Sequence, residues 1–269
     1  MVKDDLSAGK ANPKIIAHRG ASAVAPENTL AAFREAINAG ADGIEFDVRV
    51  TKDNEAVVFH DRKLKRTTGK KGTVAELTSA ELGKLDAGSW FAGSNGSPPF
   101  ANEVVSTLKQ TLDFLDRFDG TIYIELKCKE SDVERLTRRV GEILNETKRT
   151  ERIIVKSFKL SVIPLIKQHC PGVRTAALFA PKVKNVLRKE KYLVKIAEEI
   201  GADELSLHYT LATKKLMKKA RSRGLAVVIW TADNPAWIKR ALRLGLTSII
   251  TNNPKKLLAK RAALANAIA

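Results

Sequence analysis

Charged side chains occur in pairs near the ends of two segments that the sequence predicts to be buried strands. Glu45 and Asp47 lie in GIEFDVRV, and Glu125 and Lys127 lie in TIYIELK. Because successive side chains of a strand point to opposite sides, residues two apart share a side. Three carboxylates that meet at one end of a sheet would suit a hard divalent cation such as Mg²⁺ or Ca²⁺.

Two histidines and an arginine follow other strand-like runs. His18 and Arg19 come directly after KIIA, and His60 comes after AVVF. A histidine can accept or donate a proton near neutral pH, and Arg19 and Lys127 suit a phosphate group. Taken singly, each charged pair could be an internal salt-bridge cluster, and each histidine a satisfied polar group. Together these residues indicate a metal-assisted phosphoryl-transfer site with an acid and a base.

Eight strand-like segments alternate with helix-like segments, which carry apolar residues at helical spacing. Eight such repeats in 269 residues predict an α/β protein of the (β/α)8, or TIM, barrel type. Its chemistry would lie at the C-terminal ends of the strands. A doubly wound open sheet would also alternate, but the chain has no GxGxxG or GxxxxGK[ST] phosphate loop. The predicted strands are residues 14–20, 43–50, 121–127, 152–158, 174–179, 203–209, 226–231 and 248–252.

One long segment interrupts this alternation. Residues 51–104 follow the second predicted strand and are too long for an ordinary connection between a strand and a helix. They include the strand-like EAVVFHD, and Gly, Ser and Pro cluster near their end. We predict that they form an insertion, or lid, over the mouth of one barrel domain that spans residues 14–260. Residues 1–13 are predicted to be a tail, and residues 261–269 the end of a C-terminal helix or a tail.

The order of the motifs resembles that of the glycerophosphodiester phosphodiesterase family. HRG and PENT come first, followed by IEFDVRVTKDNEAVVFHD, LDAGSWF, IELK, SF, WTADN and TNNP. The resemblance extends from residue 14 to residue 258, which is nearly the whole chain. It implies a barrel enzyme that hydrolyses glycerophosphodiesters to sn-glycerol 3-phosphate and an alcohol, with a divalent metal, Mg²⁺ or Ca²⁺, as cofactor.

The resemblance also implies a role for each matching residue. The metal ligands would be Glu45, Asp47 and Glu125. The general acid and base, in an order that the sequence does not give, would be His18 and His60. The residues that bind or support the substrate phosphate and alcohol would be Arg19, Lys127, Glu27, Trp230 and Phe158. Trp90 is a weaker candidate for the wall that receives the alcohol.

The chain departs from the usual pattern of this family at two places. A common Pro-Thr-Leu-Glu-Glu is replaced here by STLKQ, residues 106–110, and a common Thr-Asp is replaced by Thr251 and Asn252. Neither change removes a residue that is assigned to catalysis. Both lie near the predicted rim and could therefore alter the choice of substrate.

The net charge of +17 is unevenly distributed, because residues 1–134 carry −3 and residues 135–269 carry +20. A lysine-rich solvated surface would explain this, and so would attraction to an anionic partner. One alternative function is therefore a lysophospholipase D that contacts an anionic membrane through its basic half. Another is a non-catalytic basic binding protein. We expect no nucleic-acid partner, since no nucleic-acid module is recognisable and only 6% of the residues are aromatic.

The composition indicates a globular protein, with 44% hydrophobic residues and a mean hydropathy of −0.18. Two cysteines do not make a disulfide framework. The polar N-terminus lacks the apolar core of a secretion signal, so we predict a cytoplasmic location. The sequence does not indicate an oligomeric state.

Overall fold

A computed structural model describes residues 12–91, 100–183, 186–187 and 190–266. Eleven strands occur in these residues. Eight of them lie close to the predicted bounds, β3 lies within the predicted EAVVFHD strand, and the two-residue strands β7 and β8 were not predicted. In chain order they are β1 (Lys14–His18), β2 (Gly43–Val50), β3 (Ala56–Val58), β4 (Thr121–Leu126), β5 (Ile153–Ser157), β6 (Arg174–Phe179), β7 (Lys182–Val183), β8 (Val186–Leu187), β9 (Glu204–His208), β10 (Ala226–Trp230) and β11 (Ser248–Thr251).

Eight of these strands form a closed parallel barrel. Its order is β1-β11-β10-β9-β6-β5-β4-β2, and β1 closes the ring by pairing in parallel with both β2 and β11. The barrel confirms the predicted (β/α)8 fold. The short strand β3, which begins the predicted EAVVFHD strand, pairs antiparallel with the end of β2.

The longer helices surround the barrel and bury apolar residues against it. In α9, for example, the buried residues Trp237, Ile238, Ala241 and Leu244 recur at helical spacing. The helices are α1 (Leu30–Asn38), α2 (Lys65–Thr68), α3 (Ser79–Leu82), α4 (Leu108–Phe114), α5 (Val133–Asn145), α6 (Val162–His169), α7 (Glu190–Glu199), α8 (Lys214–Arg221), α9 (Trp237–Leu244) and α10 (Pro254–Asn266).

The first departure from the family pattern retains a working helix cap. The Thr107 hydroxyl accepts a hydrogen bond from Gln110 N at 3.1 Å, and Gln110 Oε1 accepts one from Thr107 N at 2.9 Å. This reciprocal pair is a capping box, in which Gln can replace Glu. The substitution therefore changes the charge at the start of α4 without loss of the cap.

The insertion has a small hydrophobic cluster of its own. The cluster includes Val57 of β3 and Leu82 of α3. Its buried members are Val57, Phe59, Leu64, Val74, Leu82, Ala87 and Val105. Residues 92–99, which belong to the predicted insertion, lie outside the described residues. The lid function and the single-domain boundaries stay predictions.

The ends of the chain are described only in part. Of the predicted tail, residues 1–11 lie outside the described residues. At the other end α10 continues to Asn266, so residues 261–266 are helical, and residues 267–269 lie outside the described residues.

Side chains fill the inside of the barrel beneath the site. Ile16, Tyr123 and Val228 belong to one buried apolar cluster there. The Tyr123 hydroxyl donates a hydrogen bond of 2.8 Å to Glu204 Oε2, and Glu204 is only 6% exposed. Burial raises the pKa of the Glu204 carboxyl above its ordinary value, because burial disfavours the charged form.

We expect the stability of Glu204→Gln relative to the wild type to increase as the pH rises. Because the pKa of Glu204 is raised in the folded state, protonated Glu204 contributes to the free energy of unfolding of the wild type. This contribution is complete below the ordinary pKa of a glutamate. That contribution is lost as the pH rises through the pKa in the folded state, whereas glutamine does not titrate. Urea unfolding at several pH values between about 4 and 8 measures the difference. A difference that stays constant over this range would contradict the expectation.

Candidate active site

Three carboxylates meet at the C-terminal end of the barrel. Glu45 and Asp47 lie on β2 and Glu125 on β4, with Asp47 in register with Glu125. One carboxylate oxygen from each residue lies within 4.8 Å of the others. All three side chains are buried, and Glu45 and Asp47 are 0% exposed. The structure thus brings together the three residues that the sequence predicted as metal ligands.

Two lysines offset much of this buried negative charge. Lys156, on β5, is 1% exposed, and its Nζ lies 2.8 Å from Glu45 Oε1 and 3.7 Å from Glu125 Oε2. Lys127 Nζ lies 2.5 Å from Glu125 Oε1 and 3.3 Å from Asp47 Oδ1. Lys127 was predicted at the site, but Lys156 had no predicted role.

Arg19 is the third cation of the cluster. Its Nε lies 3.1 Å from Asp47 Oδ2, and its backbone N–H donates a 3.1 Å hydrogen bond to Glu45 Oε2. Arg19 adopts a φ of +55° and Gly20 one of +81°, so the chain turns sharply where β1 ends. A Cβ at Gly20 would lie 2.6 Å from the backbone of Ala32 in α1. Glycine is therefore needed in HRG for the close contact that places Arg19 over the carboxylates.

These cations keep the carboxylates ionised. Burial alone would raise the pKa of Glu45, but Lys156 and His18 outweigh it and hold that pKa below the ordinary value. Burial is likewise outweighed at Asp47, where Lys127 and Arg19 lower the pKa. Both groups are therefore anionic at neutral pH, the state in which a carboxylate binds a metal ion.

Two oxygen atoms of the cluster are held by ion pairs with lysines alone. Glu45 Oε1 lies 2.8 Å from Lys156 Nζ and Asp47 Oδ1 lies 3.3 Å from Lys127 Nζ, and both oxygens are buried. Carboxylate oxygens that attract cations in this way are also the preferred ligands of Mg²⁺ and Ca²⁺. The three carboxylates therefore fit a divalent metal ion.

Asn28, in the PENT motif, holds Asp47 in place. Its Nδ2 donates a 2.9 Å hydrogen bond to Asp47 Oδ2, and its Oδ1 accepts a 3.2 Å hydrogen bond from Asp47 N. Asn28 has a φ of +60°, a conformation that asparagine tolerates better than most residues. The motif thus fixes the orientation of one predicted metal ligand.

His18 is oriented by two residues from later strands. Asn252 Nδ2 donates a 2.8 Å hydrogen bond to Asp233 Oδ2, which leaves Asn252 Oδ1 to accept from His18 Nδ1 at 2.6 Å. His18 Nδ1 therefore carries a proton, and Nε2, which lies 3.9 Å from Glu45 Oε2, faces the carboxylates. The sequence contains both partners, in WTADN and TNNP, but gives no sign of their contact.

His60 is brought to the site by the insertion. Its Nδ1 lies 2.6 Å from Asp61 Oδ1, and Asp61 Oδ2 accepts a 2.7 Å hydrogen bond from Arg66 Nε. Hydrogen bonds from Arg66 and His60 outweigh partial burial and lower the pKa of Asp61 to about 2. Burial is the largest effect on His60 and lowers its pKa, so the imidazole is neutral at pH 7.

Glu27 binds arginines instead of joining the carboxylate cluster. Its Oε1 accepts hydrogen bonds from Arg19 at 2.9 Å and from Arg66 at 2.6 Å, and its Oε2 accepts one from Arg66 at 2.9 Å. Glu27 therefore supports Arg19 and ties the insertion to the first loop of the barrel. Its predicted part in substrate binding stays a prediction.

The predicted aromatic residues fall into two places. Trp230 and Phe158 form an edge-to-face pair with ring centroids 5.4 Å apart, and Lys127 Nζ lies 6.0 Å from the Phe158 ring. This pair stands beside the charged cluster. Trp90 instead lies within the insertion, with the Arg66 guanidinium 5.8 Å from its ring.

Comparison with known proteins identifies the family. The model of the glycerophosphoryl diester phosphodiesterase family matches residues 18–256. A glycerophosphodiester phosphodiesterase of Caldanaerobacter subterraneus subsp. tengcongensis is 32% identical over 250 residues, which cover 91% of this chain and 96% of that protein. The chain therefore belongs to the glycerophosphoryl diester phosphodiesterase family, and the predicted family and enzyme class are confirmed.

Solved structures agree with this assignment. The structure of an Oleispira antarctica phosphodiesterase in complex with the product sn-glycerol-3-phosphate has a TM-score of 0.82 and 25% identity, and the match covers 93% of this chain and 96% of that chain. A glycerophosphodiester phosphodiesterase from Thermotoga maritima has a TM-score of 0.71 and 28% identity, and the match covers 92% of this chain and 97% of that chain.

Among the described residues, no helix has the length and apolar character needed to cross a bilayer.

We expect Lys156→Met to destabilise the metal-free protein by about 3 to 5 kcal/mol, because it removes the partner of a fully buried carboxylate. Urea unfolding measures the free energy of unfolding. The control is Lys148→Met at an exposed position, which should change it by no more than about 0.5 kcal/mol. Equal stabilities for the two variants would contradict the role of Lys156 in charge balance.

Proposed function

We propose that this chain hydrolyses glycerophosphodiesters to sn-glycerol 3-phosphate and an alcohol at the carboxylate cluster. The observation that carries the proposal is the cluster itself, three buried carboxylates within 4.8 Å of one another. His18, Arg19 and Lys127 lie in contact with it. Membership of the family and the product bound to the Oleispira antarctica relative support the same substrate class.

Glu45, Asp47 and Glu125 would hold Mg²⁺ or Ca²⁺, since both ions take carboxylate oxygens. When bound, such an ion polarises a phosphoryl oxygen and stabilises negative charge that develops on it. Arg19 and Lys127 add positive charge at the same place, and their side chains are 17% and 16% exposed. A phosphodiester can therefore reach them from the mouth of the barrel.

We assign His60 as the general base. Its lowered pKa leaves Nε2 free to accept a proton from the attacking hydroxyl, either of water or of the glycerol C2 carbon. The Asp61 carboxylate would stabilise the imidazolium that forms. As the attacking oxygen bonds to phosphorus, the bond to the leaving alcohol breaks, and His18 Nε2 would donate a proton to that alcohol. Attack by water gives sn-glycerol 3-phosphate directly. Attack by the glycerol hydroxyl gives a cyclic phosphate, which a water molecule must then open to the same product.

The direct experiment measures sn-glycerol 3-phosphate released from glycerophosphocholine and glycerophosphoethanolamine, with and without EDTA and added Mg²⁺ or Ca²⁺. We expect release with the metal and none with EDTA. Absence of turnover with every metal would overturn the proposal and favour the non-catalytic basic binding protein.

A second candidate function is a lysophospholipase D. A human lysophospholipase D is 26% identical over 287 residues, which cover 91% of this chain and 84% of that protein. Phe158 is 44% exposed and Trp90 38% exposed, so an acyl chain would find apolar surface on these side chains. Choline release from lysophosphatidylcholine, measured in the same assay, distinguishes the two substrates.

We expect Asp61→Asn to lower kcat and to move the acidic limb of the pH profile of kcat/KM to lower pH. The carboxylate of Asp61 raises the pKa of His60 through a hydrogen bond, so its removal lowers that pKa further, and the base remains neutral in more acidic solution. A full pH profile of both proteins provides the measurement. A limb that moves to higher pH would contradict the assignment of His60 as the base.

We expect Asn252→Asp to lower kcat by about 10- to 100-fold, with little change in KM. A loss of this size is part of the rate enhancement that general acid catalysis supplies. The new carboxylate would face Asp233 and displace the group that orients His18. Asp233→Asn in the same chain should restore much of kcat, because an amide at residue 233 can donate to the carboxylate at residue 252. Steady-state kinetics are measured for the wild type, Asn252→Asp and the double variant. A double variant as slow as Asn252→Asp would contradict the role of Asn252 in orienting His18.

A further inference from the structure

The C-terminal part of the chain, which carries the last two barrel strands, has a strong excess of positive charge. From residue 212 to the end of the chain there are thirteen basic residues and a single acidic one, Asp233. Asp233 Oδ1 accepts hydrogen bonds from Thr251 Oγ1 at 2.8 Å and from Asn252 N at 2.7 Å. The basic residues are Lys214, Lys215, Lys218, Lys219, Arg221, Arg223, Lys239, Arg240, Arg243, Lys255, Lys256, Lys260 and Arg261.

Six of these residues lie together on the side of the catalytic mouth. The helices α8, α9 and α10 follow β9, β10 and β11, which are neighbours in the barrel, so their N-terminal turns lie side by side at the end that holds the site. We call the six exposed side chains in the first four residues of these helices the cationic rim: Lys214, Lys215, Lys239, Arg240, Lys255 and Lys256.

The positions of the cationic rim are unfavourable for local stability. The N-terminus of a helix carries partial positive charge and favours acidic residues. None of the three helices has an acidic residue in its first turn. Within the part of the chain that the structure describes, no residue of the cationic rim forms an ion pair; Arg240 instead lies 4.3 Å from the Trp237 ring. The arrangement leaves six charges available to an external anion.

Apolar surface lies next to these charges. Val24, in the loop after β1, is 54% exposed. It lines a cavity of about 470 Å³ with Lys255, Lys256, Ala23 and Pro254. A lipid surface presents anionic headgroups above an apolar layer. The basic side chains can pair with the headgroups, and the exposed apolar side chains next to them can contact the apolar layer.

We propose that the cationic rim binds an anionic lipid surface and turns the mouth of the barrel toward the headgroups. The benefit of this orientation rests on the proposed function, because it brings the carboxylate cluster to a phosphodiester that lies in or near a membrane. The binding itself depends only on charge and geometry. Binding is therefore measured separately from turnover.

The test uses the full chain and two triple variants with equal change in charge. Lys215→Glu, Lys239→Glu and Lys256→Glu reverse half of the cationic rim. Arg117→Glu, Lys148→Glu and Arg221→Glu form the control. Arg221 ends α8, and Arg117 and Lys148 precede β4 and β5, so these exposed positions lie toward the opposite end of the barrel. Co-sedimentation is measured with vesicles of phosphatidylcholine and phosphatidylserine in equal amounts and with phosphatidylcholine alone, at low and at physiological salt.

We expect the wild type and the control to bind the mixed vesicles, less at higher salt, and to ignore phosphatidylcholine alone. The rim variant should bind on the order of 100-fold more weakly, since each basic residue near an anionic surface contributes about 1 kcal/mol. Its melting temperature should be no lower than that of the wild type, because acidic residues suit helix N-termini. Its turnover of glycerophosphocholine should be unchanged.

Three results would overturn the proposal: equal vesicle binding by the rim variant, equal binding to phosphatidylcholine alone, or tighter binding of duplex DNA than of the mixed vesicles. Failure of the proposed function looks different. In that case the wild type would release no sn-glycerol 3-phosphate, while vesicle binding would still depend on the cationic rim.

Discussion

The balance of buried charge at the end of the barrel is the constraint on which the rest of the site depends. Glu45 and Asp47 are fully buried, and such groups would normally take up protons. Lys156 and Lys127 prevent this at ion-pair distance. The barrel therefore holds a set of ionised oxygen donors in a dry environment, where charges act strongly on one another and on a bound phosphate.

The other functional groups reach this cluster through loops that are fixed by specific contacts. Arg19 follows β1 with its backbone in the left-handed region, and this turn places its side chain over the carboxylates. The insertion supplies His60, and Arg66 ties that segment to Glu27 of the first loop. Catalytic groups on loops usually need such support, because loops are less rigid than the strands that carry them.

Much of the fold and the site could be predicted from the sequence, because both follow from local patterns. The strands carry charged residues where their apolar runs end, so the positions of Glu45 and Glu125 at the strand ends could be predicted. The role of Lys156 was not, since it depends on the register of β5 beside β4. The contact of His18 with Asn252 joins residues 234 positions apart, and no local pattern reports such a contact.

The most direct test of the account is calorimetric titration of the metal-free protein with Mg²⁺ and with Ca²⁺ in buffers of different ionisation enthalpy. The account predicts one bound ion per chain and almost no release of protons at neutral pH, because Glu45 and Asp47 are already ionised. Binding should be lost in Glu45→Gln. No saturable binding of either ion, or binding that releases a full proton, would contradict the central claim that buried cations keep Glu45 and Asp47 ionised at a metal site.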